Sequence, residues 1–167
     1  MKNVIALYAA VLLLAACGFH PVYGVNKHTA VGVESKLALV DIASIPDREG
    51  QYLRNELIDK FYRTGRPLNA QYTLEVAPII ESLTDLDITK NSDATRGQLR
   101  LSTTMLLRDK QTAEILLSRN IYSITSYNVL NSEFSTRVSE DNTRRNALDD
   151  LARQIETQIN LYLKRTQ

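Results

Sequence analysis

The only cysteine of the chain, Cys17, lies in a setting where its thiol would be acylated. Residues 4–14 form an uncharged apolar run before it, Lys2 supplies a positive charge ahead of that run, and two alanines directly precede the cysteine. This order is typical of a secretory signal peptide over residues 1–16. The apolar run is too short to span a bilayer as a finished helix. The sequence therefore predicts cleavage before Cys17.

Residues 14–17, Leu-Ala-Ala-Cys, also fit the lipobox of bacterial lipoproteins, in which the cysteine becomes the first residue of the mature protein and carries acyl chains. The alternative is a buried, unmodified thiol, but no second cysteine exists for a disulfide. Each acyl methylene buried in lipid contributes about 0.8 kcal/mol, so several chains hold a protein firmly. Gly18 stands where an Asp commonly retains Gram-negative lipoproteins in the inner membrane, and this resemblance implies sorting to the outer membrane.

Residues suited to catalysis or metal binding are scarce. His20 and His28 are the only histidines, and neither has a Cys, Asp or Glu neighbour at ligand spacing, so both are interpreted as solvated linker residues. The chain contains no glycine-rich phosphate loop, no Gly-x-Ser-x-Gly motif and no His-Glu-x-x-His motif. We therefore predict no catalytic residue, no metal site and no cofactor, and a lipid-anchored hydrolase is disfavoured because no histidine follows His28.

The charge balance argues against a general binder of polyanions. Without residues 1–16, whose only charged residue is Lys2, the 20 basic residues become 19 and balance the 19 acidic ones. Nucleic-acid-binding domains usually carry an excess of positive charge, so we predict no nucleic-acid partner. A local basic row remains compatible with this balance.

The mature sequence divides into a lipidated N-terminus with an extended tether, residues 17–35, and one domain, residues 36–167. In the domain, alternation of apolar residues predicts strands, and a spacing of three or four residues predicts helices. The predicted strands are 36–45, 70–82, 97–108 and 114–127, and the predicted helices are 47–64 and 132 onward. This order, β-α-β-β-β-α, predicts an α+β fold with two helices packed on one face of a four-stranded, mostly antiparallel sheet.

Several residues set the expected boundaries of these elements. Pro78 lies inside the second strand, so that strand is expected at a sheet edge or to end in a bulge. Residues 83–95 are polar and are expected to form a connection, whereas residues 109–113 are expected to form the turn of an antiparallel hairpin. Asp47 is expected to cap the first helix, and either Ser132 or Ser135 the second. Gly65 with Pro67 is expected to end the first helix. Phe134 and Val138 are expected to continue the buried stripe of the second helix.

The candidate binding site is a row of cations on the third strand: Arg96, Arg100 and Arg108, followed by Lys110 at the turn. These residues share a parity and therefore point to the sheet face away from the helices. Arginine offers a bidentate fork to phosphate groups. The alternative is an ordinary solvated face, because Leu106 interrupts the row and no aromatic residues alternate with the cations.

Four stretches of the chain together resemble a known family. Residues 126–128 read Ser-Tyr-Asn, and residues 139–148 read Ser-Glu-Asp-x-x-Arg-Arg-x-Ala-Leu at a helix start. Residues 17–24 read Cys-Gly-Phe-His-Pro-Val-Tyr-Gly, and residues 93–96 read Asp-Ala-Thr-Arg. In this order and spacing, the chain resembles the LPS-assembly lipoprotein family, LptE, over essentially its whole mature length.

This resemblance implies a fold of two helices against a four-stranded sheet, which agrees with the predicted elements. It also implies a partner, the outer-membrane β-barrel LptD, in whose lumen the lipoprotein would sit as a plug while the pair delivers lipopolysaccharide to the outer leaflet. The protein would be non-enzymatic and anchored on the periplasmic side of the outer membrane through its N-terminal lipid. Basic residues of the family bind lipopolysaccharide, and the candidates here are Arg96, Arg100, Arg108 and Lys110. The alternative is another periplasmic-facing lipoprotein, such as a solute-binding or cell-wall-synthesis accessory protein.

Overall fold

A computed structural model describes residues 34–62, 65–66, 68–88, 94–130 and 132–165. These residues form three helices, α1 (Glu34–Leu37), α2 (Asp47–Phe61) and α3 (Glu133–Arg165), and five strands, β1 (Val40–Ile42), β2 (Tyr72–Val76), β3 (Ile80–Ile88), β4 (Ala94–Asp109) and β5 (Ile115–Asn128). β1 pairs in parallel with β2, and the other pairs are antiparallel. The predicted α+β class with two long helices is confirmed, but the predicted number of four strands is wrong.

The fifth strand arises because the predicted strand 70–82 is broken at Pro78. β5 pairs along one edge of β4, so β2 and β3 lie one after the other along the opposite edge. Proline cannot donate a ladder hydrogen bond, and the pairing stops between Val76 and Ile80. The sheet is therefore four strands wide beside β2, in the order β1-β2-β4-β5, and three strands wide beside β3.

The prediction that residues 83–95 form a polar connection is wrong for residues 83–88, which belong to β3, and for residues 94–95, which belong to β4. β3 continues to Ile88 and pairs with β4 from Ile80↔Ser102 to Ile88↔Ala94. Glu81 and Asp85 are poor strand formers, and residues 80–85 are all exposed, so no buried alternation marks this segment. Pairing with β4 supplies the strand that local preference does not; residues 89–93 lie outside the described residues.

The predicted first strand, 36–45, is also mostly wrong. α1 and a turn occupy its first half, and β1 keeps only three residues. A short apolar run without strict alternation does not distinguish helix from strand, which explains the error. β1 is held by the Tyr62 hydroxyl, which accepts a hydrogen bond from the Ile42 N–H at 3.1 Å and donates one to the Val40 carbonyl at 2.8 Å.

α2 begins and ends differently from the prediction. Asp47 does not cap it, because Asp47 is the first helical residue, Pro46 holds the cap position, and no side chain bonds the free N–H groups there. The helix ends at Phe61, and the Gly65 N–H then donates to the Tyr62 carbonyl at 3.0 Å. Gly65 has φ 118°, a conformation that glycine adopts without strain, but the cap is Tyr62, so the predicted helix end at Gly65 is wrong. Pro67 lies outside the described residues.

α3 lies across β5 and contributes much of the core. The Ser132 hydroxyl accepts a hydrogen bond from the Ser135 N–H at 3.4 Å, which confirms Ser132 as the cap. The buried apolar side chains come from both long helices and from the helix-facing side of the sheet: Leu53, Leu57 and Phe61 of α2, Leu148, Leu151, Ile155 and Ile159 of α3, and Leu74, Leu99, Leu101, Met105 and Leu107 of the strands. The two helices therefore pack on one face, as predicted.

The predicted burial of Phe134 and Val138 is wrong, since their side chains are 77% and 45% exposed. The Gln154 amide reaches the Tyr122 carbonyl, which sets the helix against the strand. The buried residues of α3 begin at Thr143, ten residues after the helix starts. The first turns of α3 therefore lie outside the core that the helices form with the sheet.

The predicted turn at residues 109–113 is confirmed. The Asp109 carboxylate accepts hydrogen bonds from the N–H groups of Gln111 at 2.8 Å and Thr112 at 2.9 Å. These backbone donors hold the pKa of Asp109 below its ordinary value. The turn joins β4 and β5 into the antiparallel hairpin that the short spacing predicts.

Arg144 of α3 joins that helix to the edge strand β3. Its Nε and Nη2 atoms donate to the two carboxylate oxygens of Glu81, each at 2.8 Å, and Nη2 also contacts Glu140 Oε1 at 2.6 Å. The Arg144 side chain is only 15% exposed. The hydrogen bonds to Glu81 raise the pKa of Arg144, and the same contact lowers the pKa of Glu81. Both shifts indicate that the charged pair stabilises the fold.

Replacing Arg144 with methionine should lower the free energy of unfolding by about 2 kcal/mol at neutral pH, because two partly buried carboxylates lose a charged donor. Folding lowers the pKa of Glu81 from 4.5, so its contribution is complete above that value and is lost as the pH falls through the lower folded pKa. The difference between wild type and R144M should therefore narrow on acidification. Urea unfolding followed by circular dichroism at neutral pH and at about pH 3 measures both effects.

Arg145→Met is the matched control. Arg145 is 58% exposed and pairs with Asp141 at 2.6 Å, so its loss should cost less than about 0.5 kcal/mol. Equal destabilisation by R144M and R145M would contradict the importance assigned to the Arg144 contacts.

Candidate functional site: the outer face of the sheet

β4 separates a buried face from an accessible one. Its odd-numbered residues from Gly97 to Leu107 are all buried against the helix side, whereas Arg96 and Arg100 are exposed and the other even-numbered residues up to Arg108 are partly exposed. The prediction that the even positions point away from the helices is confirmed. The four candidate cations therefore lie along one side of the molecule, but their surroundings differ.

Arg108 and Lys110 are already paired with carboxylates of neighbouring strands. Arg108 Nε donates to Glu75 Oε2 on β2 at 2.9 Å, and Lys110 Nζ lies 3.7 Å from Asp41 Oδ2 on β1. Both pairs are partly exposed, so each contributes modestly to stability. Their charges are neutralised within the fold, and they hold β1 and β2 beside the end of β4.

Arg96 and Arg100 have no carboxylate partner among the described residues. The Arg100 guanidinium lies 4.6 Å from the centre of the Tyr122 ring, which is a cation–π contact that leaves its N–H groups available. The Arg96 side chain makes no hydrogen bond or ion pair within the described ranges, and its cross-strand neighbours are Asn128 and Leu86. The structure thus divides the predicted row into two paired cations and two that can receive an anion.

A shallow groove of about 300 Å³ runs beside Arg100, where the break between β2 and β3 leaves β4 uncovered. Pro78 and Ile80 form one wall, and Asn120 with Tyr122 forms the other. Ile80 and Tyr122 are 67% and 53% exposed. The groove therefore offers a cation next to apolar surface, which suits an amphiphile with an anionic group.

The apolar neighbours of the arginines escaped the sequence prediction. Tyr122 and Ile124 of β5 lie on the same face as Arg100, because Ile124 is its cross-strand partner and Tyr122 is opposite Ser102. Their even parity in a strand paired with β4 was the available signal. It could be used only once the register was known, since a shift of one residue would place them on the helix side.

The remaining predicted residue, Cys17, lies outside the described residues, as do His20 and His28. Within the described ranges, no helix combines the length and apolar character needed to cross a bilayer. The same part of the chain brings no three His, Cys, Asp or Glu side chains into an arrangement that would hold a metal ion.

Comparison with known proteins gives consistent results. The family model LptE, described as lipopolysaccharide-assembly, matches residues 37–160. A minor lipoprotein from Acinetobacter baumannii has a similar solved structure, with 26% identity and a TM-score of 0.58 over 73% of this chain and 91% of that one. No curated protein matches the chain.

Two further solved structures share the fold. One, described as a lipoprotein from Caulobacter crescentus CB15, has 23% identity and a TM-score of 0.61 over 80% of this chain and 97% of that one. Rare lipoprotein B from Shewanella oneidensis has 10% identity and a TM-score of 0.55 over 73% of this chain and 97% of that one. Since the family model spans well over half of the sequence, the chain belongs to the LptE lipopolysaccharide-assembly family.

Proposed function

We propose that this chain is an outer-membrane lipoprotein that acts, without catalysing a reaction, as plug and assembly partner of an LptD β-barrel in the delivery of lipopolysaccharide. Acyl chains on Cys17 would anchor it on the periplasmic side after removal of residues 1–16. The tether, residues 17–35, would connect that anchor to the domain, residues 36–167. The observation that carries this proposal is that Arg96 and Arg100, on the outer sheet face of an LptE-family chain, have no carboxylate partner among the described residues.

The charges of the outer face suit enclosure by a barrel. The lumen of an outer-membrane barrel is polar, so a plug needs a polar exterior. Burying a charge is costly unless it is paired. Arg108 and Lys110 of this face are paired with carboxylates, and Arg144 on the helix side of the sheet is paired as well. Much of the charge on this body can therefore be enclosed without leaving ions unpaired.

Arg96 and Arg100 support direct contact with lipopolysaccharide. Four residues of extended strand place their backbones roughly 13 Å apart, so the two guanidinium groups can engage separate anionic groups of one large glycolipid. The exposed side chains of Ile80, Tyr122 and Ile124 lie on the same face and can contact acyl chains. Arginine and apolar side chains in one surface match both chemical parts of this ligand.

The residue inventory supports a non-enzymatic role. The chain has no histidine after His28 and no cysteine after Cys17, so the described domain has neither an imidazole base nor a thiol nucleophile. The Tyr52 hydroxyl donates to Asp149 at 3.1 Å, and burial is the first cause of its raised pKa, which favours the neutral phenol. This contact joins α2 to α3, so the raised pKa of Tyr52 is explained by packing and does not require a catalytic role.

Replacing Cys17 with alanine should abolish palmitate labelling and leave unprocessed precursor in the inner membrane. The chain has one cysteine, so labelling at a thiol can arise only there. Radiolabelled palmitate and membrane fractionation of cells that express the full chain measure the result. Persistent labelling of the variant would refute the anchor.

Changing Arg96 and Arg100 together to glutamine should weaken lipopolysaccharide binding about tenfold or more, because two charge-assisted contacts are lost. Both side chains are exposed, so the melting temperature should be nearly unchanged. Binding of purified lipopolysaccharide by the delipidated domain measures the effect.

The matched control is the double change Arg108→Gln and Lys110→Gln, which removes the same charge. These residues are paired within the fold, so we expect slightly lower stability and nearly normal binding. Equal loss of binding in both double variants would indicate a general charge effect. Unchanged binding in the Arg96 and Arg100 variant would show that these residues belong to an ordinary solvated face.

Purification of the full chain in mild detergent should recover a large β-barrel in one-to-one ratio. Tandem-affinity purification followed by mass spectrometry measures this ratio. Recovery of a monomer, or of a peptidoglycan synthase in place of the barrel, would contradict the proposal and favour the alternative of a solute-binding or cell-wall-synthesis lipoprotein.

A further inference from the structure

The outer edge of β5 is the longest open edge of the sheet. β5 has fourteen residues and pairs only with β4 among the described strands. An open edge presents unpaired N–H and C=O groups, and proteins usually protect such edges with charges, prolines or short strands. β5 contains no proline, and Arg119 is its only charged residue.

Two hydrogen bonds identify which β5 residues turn their backbone outward. The Tyr122 carbonyl accepts from the Gln154 side chain, so it faces away from β4. The Thr104 carbonyl accepts from the Ala77 N–H, so the even residues of β4 face away from β5. Because the backbone direction alternates along a strand, the outward-facing residues are the even ones. These are Ser118, Asn120, Tyr122, Ile124, Ser126 and Asn128, none of which is charged.

The opposite edge of the sheet is protected in the way that β5 is not. The same alternation turns the backbones of Glu81, Leu83 and Asp85 outward from β3. Two of these three residues carry carboxylates, and Glu81 is held by Arg144. Charges at an edge oppose the approach of another strand. Charges thus protect the β3 edge but not the β5 edge of the same sheet. The β5 edge is therefore the better candidate for pairing with another strand.

The residues that the structure describes cover only the first half of this edge. Gln154 occupies the Tyr122 carbonyl, and the Arg119 guanidinium donates to the Ser118 carbonyl at 2.8 Å. From residue 124 to residue 128, no described group bonds to the outward backbone. Outward N–H and C=O groups that recur at every second residue, between uncharged side chains, match another extended backbone.

We propose that residues 124–128 of β5 pair with an extended segment of the barrel partner, which adds a strand to the sheet. This inference rests on the proposed function. A segment of five residues is about 17 Å long, so pairing of two copies through it alone would fall well short of the roughly 800 Å² per partner of a stable complex. A partner that encloses the body supplies the remaining contact area.

The added strand would lie beside the candidate lipid site. Asn128 is the cross-strand partner of Arg96, and Ile124 is that of Arg100. The outer face of the sheet would therefore continue from the arginines onto the partner. Strand addition at this edge would bring barrel side chains next to the groups that receive the lipid.

Hydrogen exchange of the wild-type complex tests this pairing directly. In the free protein the amides of Ile124 and Ser126 should exchange fast, and in the complex with the co-expressed barrel they should exchange about a hundredfold more slowly. The amides of Thr125 and Tyr127 face β4 and should be protected in both states. Fragmentation mass spectrometry gives the required single-residue resolution. Unchanged exchange at Ile124 and Ser126 would overturn the proposal. The proposal would also be overturned if sedimentation detected a dimer of the free protein in which these two amides are protected to the same degree.

Ser126→Pro and Ser118→Pro form a matched pair of variants. Each removes an outward N–H without removing a donor to β4, but only Ser126 lies in the proposed pairing segment. Circular dichroism checks that both variants are folded. In co-purification, S126P should then recover about tenfold less barrel than the wild type, and S118P should recover the wild-type amount. Equal recovery by both would overturn strand addition and leave the proposed function standing. Failure of the wild type to recover any barrel would overturn both.

Discussion

The alternation of side chains along β4 is the constraint on which the rest of the structure depends. β4 is bonded along both edges, so its odd residues pack against the helices while its even residues form the outer face. A slip of one residue would exchange the two sets. Gly97 helps to hold the register, because a Cβ atom there would come within 2.7 Å of the Tyr127 ring. The ring of β5 thus fills the space that a side chain of β4 would need.

The break at Pro78 produces the two environments found along β4. On one side of the break, β2 places Glu75 beside Arg108 and holds β1 where its Asp41 contacts Lys110. On the other side, Glu81 and Asp85 of β3 pair with helix-facing residues of β4, and Glu81 is held by Arg144 of α3. Among the described residues, the cations near β2 are therefore paired with carboxylates, and those near β3 are not. One proline in the backbone separates structural cations from those that can bind a ligand.

The helices determine which surfaces remain open. α3 packs on β5 and contacts β3 through Arg144, so it covers much of the helix-facing side of the sheet, although Leu83 of β3 is 50% exposed there. It does not extend over the outer face or cover the end of the β5 edge. Among the described residues, the outer face with Arg96 and Arg100, the end of β5 and the first turns of α3 therefore remain accessible.

Much of this fold was predictable from local pattern. Strong alternation in 97–108 and 114–127, with a polar turn between them, determined the hairpin, and apolar spacing determined both long helices. The polarity of the outer face and the positions of its cations followed from the same parity. The lipobox and the order of short motifs indicated the family, which the match over residues 37–160 confirms.

Tertiary structure decided what local pattern does not encode. β3 is a strand because β4 offers it a partner, although its own residues favour a loop. Phe134 and Val138 are exposed because the buried stripe of α3 begins only at Thr143, which depends on where other elements pack against the helix. Whether an arginine is paired depends on a carboxylate from a distant strand, as for Arg108 and Glu75. Local sequence determines which face a side chain takes, and only the packing of distant segments determines what that side chain meets.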